Sequence, residues 1–136
     1  MRHIFLDTSY AIALSVQNDL HHARALILAD DLETTQTRLV TTFAVLLEIG
    51  NALAKARYRQ AEIALLHSLE TDPQIEIVPF SKELYARALN LYTQRPDKEW
   101  GLTDCLSFVV MQDRQMTEAL TADEHFGQAG FSPLLR

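Results

Sequence analysis

The 136-residue sequence has little of several things: one cysteine, four glycines and four prolines. A lone Cys105 excludes an internal disulfide framework and the four-cysteine zinc sites, and it fits a reducing compartment. So few glycines and prolines exclude flexible linkers, collagen-like repeats and loop-rich scaffolds. No stretch approaches the roughly 20 apolar residues of a membrane span. The apolar N-terminal run is interrupted by Asp7, and no small-residue cleavage site follows it. A cytoplasmic protein without membrane contact is expected. Basic residues are scarce too, with 12 Lys and Arg against 18 Asp and Glu, a formal net charge of −6. At face value that balance argues against a nucleic-acid binder, because phosphate contacts usually need a basic face.

What is present is ordinary globular composition, 48% hydrophobic and 22% charged, in a length that suits one domain over residues 1–136. Short apolar or β-branched runs predict strands at His3–Leu6, Arg38–Val40, Ile75–Val78, Ala119–Ala122 and Phe131–Leu134. Helical spacing predicts helices at Tyr10–Val16, Leu20–Leu32, Phe43–Ala56, Arg59–Leu69, Lys82–Gln94 and Asp104–Asp113, with a helical turn at Asp123–Gln128. Asp19, Thr41 or Thr42, Ser81 and Thr103 are the expected caps. Strands alternating with helices imply an α/β fold: a parallel sheet of four to five strands flanked by helices on both faces. Such sheets carry their sites outside the carboxyl ends of the strands.

Four acids stand where acids are costly. Asp7 ends the first strand and Asp123 follows the last clear one, so both are expected at the carboxyl edge. Glu48 interrupts a run, Phe43–Ala54, that is apolar nearly all round; Asn51 shares its face at i+3. Asp104 opens the equally apolar Cys105–Met111 segment. Each has an ordinary explanation, as a cap, a dipole partner or half of an ion pair. Together they are harder to dismiss, because parallel topology gathers them at one edge. Clustered carboxylates repel, and they imply raised pKa values or a bound divalent cation. Oxygen donors without a cysteine or histidine pattern favour Mg²⁺ or Mn²⁺ over Zn²⁺.

Other signals are open to two readings. Lys55, Arg57 and Arg59 are expected to close the Glu48 helix, where they either complement its C-terminus or contact a phosphate backbone, with Tyr58 free to stack. Trp100, in the Arg95–Gly101 loop, either stacks on a base or packs beneath the loop. His125 is either structural or a contact to substrate phosphate, and His21 and His22 are expected at the solvated start of a helix. Cys105 with His125 suggests a thiol nucleophile, although a buried inert cysteine is the commoner case. A strand ending in Asp also begins aspartyl-phosphate enzymes, but their phosphatases place a second Asp two residues on, where this chain has Ser9.

In Phe5-Leu6-Asp7-Thr8-Ser9, Glu48-Ile49-Gly50-Asn51-Ala52-Leu53, Leu102-Thr103-Asp104-Cys105 and Leu120-Thr121-Ala122-Asp123-Glu124-His125-Phe126, in that order, the sequence resembles the PIN-domain ribonucleases, most closely the VapC-type toxins of bacterial toxin–antitoxin pairs. The resemblance covers essentially the whole chain. It implies a five-stranded parallel sheet and metal-dependent cleavage of RNA, with Mg²⁺ or Mn²⁺ held by Asp7, Asp104 and Asp123. Glu48 would bind a second metal or orient the attacking water, with Ser9, Asn51, Thr103 and Thr121 as supports behind the acids. It also implies a homodimer and a small cognate antitoxin, for which residues 20–32 and 43–69 carry enough apolar surface. Some relatives could act mainly as binding partners, but all four acids are kept here, which favours catalysis. Setting those four charges aside leaves a net −2, so the acidic balance is largely the signature of a metal-loading site.

Overall fold

The computed structural model describes residues 2–136. Five parallel strands, β1 (His3–Leu6), β2 (Arg38–Thr42), β3 (Ile75–Val78), β4 (Glu118–Leu120) and β5 (Ser132–Pro133), form one sheet in the order β3-β2-β1-β4-β5. The connections are helical: α1 (Thr8–Ser15) and α2 (His22–Thr35) join β1 to β2, and α3 (Phe43–Ala52) and α4 (Ala56–Thr71) join β2 to β3. The chain then returns through α5 (Lys82–Gln94) and α6 (Leu102–Asp113) to place β4 on the other side of β1, and α7 (Glu124–Gln128) leads to β5. Strand order therefore reverses between β1 and β4, the position at which open parallel sheets build their sites.

Burial follows from that connectivity. In the central strand Ile4, Phe5 and Leu6 are all buried, as a strand covered on both faces requires. Helices α1 to α4 pack among themselves, while α5 packs on α6 and α6 on α7. In α6 every residue from Cys105 to Met111 is buried. Its Phe108 makes edge contacts with Trp100 and Phe126, both at 5.0 Å between ring centroids, and a tilted one with Phe131 at 5.6 Å. This aromatic cluster fixes the loop before α6 and the α7 turn onto the same helix. Among the described residues no helix is long and apolar enough to cross a membrane.

Several boundaries differ from those the sequence suggests. The apolar segment beginning at Phe43 does not run to Ala56; it stops at Ala52 and restarts as α4 after Lys55, whose backbone is extended. The two halves have different helical phase. Leu46, Ile49 and Leu53 are buried in the first, but Tyr58, Glu62, Leu65 and Leu69 turn inward in the second, which one straight helix cannot achieve. Lys55, Arg57 and Arg59 thus open α4 rather than close the Glu48 helix, and the dipole explanation for them is overturned. Arg59 instead donates from Nε and Nη2 to the freed Ala54 carbonyl at 3.1 and 2.6 Å. Helix α1 starts at Thr8, directly after Asp7, and α2 at His22, leaving Leu20 exposed. Helix α6 starts at Leu102, so Thr103 lies inside its first turn and is not the cap. Strand β4 ends at Leu120, because Thr121 and Ala122 leave the ladder to serve the edge described next, and β5 shortens to two residues.

Candidate active site

The turns that follow β1 and β4 lie side by side and are knitted by hydroxyls. Thr121 Oγ1 donates to Asp7 Oδ2 at 2.7 Å and accepts the Asp123 N–H at 3.0 Å. Ser9 Oγ stands 3.0 Å from Thr121 Oγ1 and accepts the Ala122 N–H at 2.9 Å. From the other side of β1, Thr41 Oγ1 donates to the Leu6 carbonyl at 2.8 Å, immediately before Asp7. These bonds hold the Asp7 carboxylate without any positive charge.

Glu48 arrives from α3. Its helix is started by Thr42, whose side chain accepts the Val45 N–H at 3.1 Å. Thr8 Oγ1 donates to Glu48 Oε1 at 2.7 Å. Asp104 arrives from the first turn of α6, where Oδ2 accepts the Gly101 N–H at 3.0 Å. Asp123 precedes α7 and accepts the His125 N–H through Oδ1 at 2.9 Å. Two of the acids therefore do act as helix caps, but all four also converge. Asp7, Glu48, Asp104 and Asp123 line one open cleft of about 620 Å³, together with Thr8, Ser9, Asn51 and His125.

The cleft is electrostatically uncompensated. Its lining includes no Lys or Arg. Asp7 is only 5% exposed, and burial drives its pKa up to about 7; the Thr121 hydroxyl and the Thr8 N–H pull it down, while Asp104 and Glu48 push it further up. Glu48 is raised by burial and by Asp104 and Asp123, against the Thr8 hydroxyl. Asp104 is raised by burial as well, opposed by the Gly101 N–H and by His125. Asp7, Glu48 and Asp104, crowded and raised in this way, hold a divalent cation more readily than they tolerate one another.

His125 is the residue whose position the sequence left open. Its Nδ1 lies 3.0 Å from Asp104 Oδ2 and 3.3 Å from Asp123 Oδ1. One donor atom from each of Asp104, Asp123 and His125 lies within 4.8 Å of the others, close enough to share a metal ion. An imidazole nitrogen thus stands among the acids, beside the oxygen donors expected from the sequence. Thr8 carries little signal in the sequence, since its partner Glu48 is 40 positions away; only its place directly after Asp7 marks it. Asn51 lines the cleft, whereas Thr103 does not.

Trp100 is not available to stack on a base. It is 5% exposed, packs on Phe108, and donates from Nε1 to Gln128 at 3.0 Å. Lys55, Arg57 and Arg59 are exposed but do not line the cleft. Tyr58 is half-buried beneath Arg57, whose guanidinium lies 4.8 Å from the ring centroid. Cys105 is buried in α6, and burial pushes its thiol up, which removes it as a nucleophile.

Among solved structures, the chain is similar in fold to Mycobacterium tuberculosis VapC20, described as a sarcin-ricin loop cleaving toxin. The TM-score is 0.81 at 24% identity, over 94% of this chain and 95% of that one. It is also similar to FitAcB from Neisseria gonorrhoeae, with a TM-score of 0.61 at 21% identity, over 96% and 95% of the two chains. No curated protein matches the sequence significantly. The PIN domain family model matches residues 4–132, from β1 to the first residue of β5 and across all four acids. The chain belongs to the PIN-domain family.

Proposed function

We propose that this protein is a divalent-metal-dependent endoribonuclease, hydrolysing RNA phosphodiester bonds as the toxin of a toxin–antitoxin pair. The observation that carries the reading is the convergence of four carboxylates at the switch point of the sheet, in a cleft with no Lys or Arg among the described residues that line it. The donor chemistry fits a hard divalent ion, Mg²⁺ or Mn²⁺, which Asp104 and Asp123 would hold with Asp7 and Glu48 nearby. When bound, such an ion supplies Lewis acidity toward water and the substrate phosphate. The chain's own part is positional and acid–base. Thr121 and Ser9 fix Asp7, and Thr8 fixes Glu48 through Oε1, which leaves Oε2 free to orient the attacking water and take its proton. The water oxygen bonds to phosphorus, the bond to the leaving oxygen breaks, and that oxygen is protonated from solvent.

The toxin role is supported by the fold shared with VapC20, itself described as a sarcin-ricin loop cleaving toxin. Exposed Leu26 and Ile27 on α2, and Leu47 and Ile63 on α3 and α4, offer apolar surface for an antitoxin or for a second subunit. Exposed Lys55 and Arg57 are candidates for the RNA backbone. The test is Asp7→Asn with RNA as substrate: cleavage in Mg²⁺ or Mn²⁺ falls at least 1,000-fold (roughly the loss of a group essential to the chemistry), while circular dichroism is unchanged. A variant with full activity overturns the reading.

A further inference from the structure

We propose that His125 is itself a ligand of the cation, through Nδ1, and that it tilts the site toward first-row transition ions such as Mn²⁺ over Mg²⁺. The inference rests on the nuclease reading and concerns which donors hold its ion. Nδ1 stands 3.0 Å from Asp104 Oδ2 and 3.3 Å from Asp123 Oδ1. In an octahedral shell with bonds of about 2.1 Å, adjacent donors are about 3 Å apart. Both spacings are therefore those of neighbouring ligands as well as of hydrogen bonds. One Nδ1–H can point at Asp104 Oδ2 or be shared with Asp123 Oδ1, which also accepts the His125 backbone N–H at 2.9 Å, but a neutral N–H leaves the two carboxylate charges unbalanced. A cation at the centre of the three donors serves them all.

The backbone that carries the ring is also fixed. Its neighbour Phe126 is fully buried against Phe108, which anchors α7 at the edge of the cleft. Carboxylates suit Mg²⁺ and Mn²⁺ alike, whereas an imidazole nitrogen discriminates, because Mg²⁺ takes oxygen donors and transition ions accept nitrogen. Coordination needs the neutral ring with its proton on Nε2. Solvent carries that proton from Nδ1 to Nε2, and none is lost. Of the five histidines in the chain, His125 alone lines the cleft.

Mn²⁺ and Mg²⁺ titrated separately into the full chain, with pulsed electron paramagnetic resonance on the Mn²⁺-loaded protein, test this. The wild-type Mn²⁺ spectrum is expected to show coupling to a directly bound imidazole nitrogen. His125→Ala is expected to lose that coupling and to bind Mn²⁺ about ten-fold less tightly, with Mg²⁺ affinity within about two-fold. A wild-type spectrum with oxygen donors alone overturns the proposal whether or not the variant folds, and equal weakening of both ions does so too. If the oxygen-only protein still cleaves RNA, the nuclease reading survives; a chain that binds neither ion refutes both.

Discussion

Of the four acids at the cleft, Asp7 is the one that is buried. Its two hydroxyl neighbours are neutral, and Asp104 and Glu48 are the charges that face it. Its folded pKa of about 7 lies above the roughly 3.9 of an unfolded Asp, so the folded state binds the extra proton between those values. Stability of the metal-free protein is therefore greatest below about pH 4 as far as this group is concerned, and is lost as pH rises toward and through about 7. The cost of the ionised form is on the order of a few kcal/mol. In EDTA at pH 8, Asp7→Asn should melt several degrees above wild type, and the gain should vanish near pH 4. A variant that is no more stable than wild type at pH 8 would show that Asp7 is not strained. The candidate acids are legible in the sequence because each interrupts an apolar run or ends a strand. Thr8 is not, and His125 is legible only as a candidate phosphate contact, because their partners are brought close only by the fold, Glu48 for one and Asp104 for the other.

At the scale of elements, the break between α3 and α4 decides how basic residues are used. A continuous helix would set Lys55, Arg57 and Arg59 at its C-terminus; the phase change places them at the start of α4, and Arg59 caps the carbonyl of Ala54 instead. Arg59→Ala is expected to lower stability by about 1 kcal/mol in urea denaturation, with RNA cleavage changed less than about two-fold. Reduced cleavage at unchanged stability would assign Arg59 to the substrate instead. Elements with a clear period and a clear cap are read correctly from sequence. Strands His3–Leu6 and Ile75–Val78 fall where alternation and apolar runs put them, and Lys82–Gln94 follows its Ser81 cap. The apolar run after Phe43 contains no Pro or internal Gly pair to mark its end, so the phase change at Leu53 is a tertiary effect that single-sequence periodicity misses.

For the whole molecule, the distribution of charge matters more than its sum. Arg2, Arg87, Arg95 and Arg114 form ion pairs with Glu118, Asp113, Asp97 and Glu76, and Arg24, Arg59 and Arg136 donate to main-chain carbonyls. None of these contacts reaches Asp7, Glu48, Asp104 or Asp123. Four of the charges in the net −6 thus stand where a phosphate would have to enter, and no arginine lines the cleft there to admit one. A divalent ion resolves that conflict and makes an acidic protein competent toward RNA. The most direct test is the rate of RNA cleavage by the wild-type chain at fixed ionic strength, in EDTA with monovalent salt alone and then with Mg²⁺ or Mn²⁺ restored. Cleavage only when a divalent ion is present, recovered after chelation and re-addition, is the predicted result; undiminished cleavage in EDTA would contradict it.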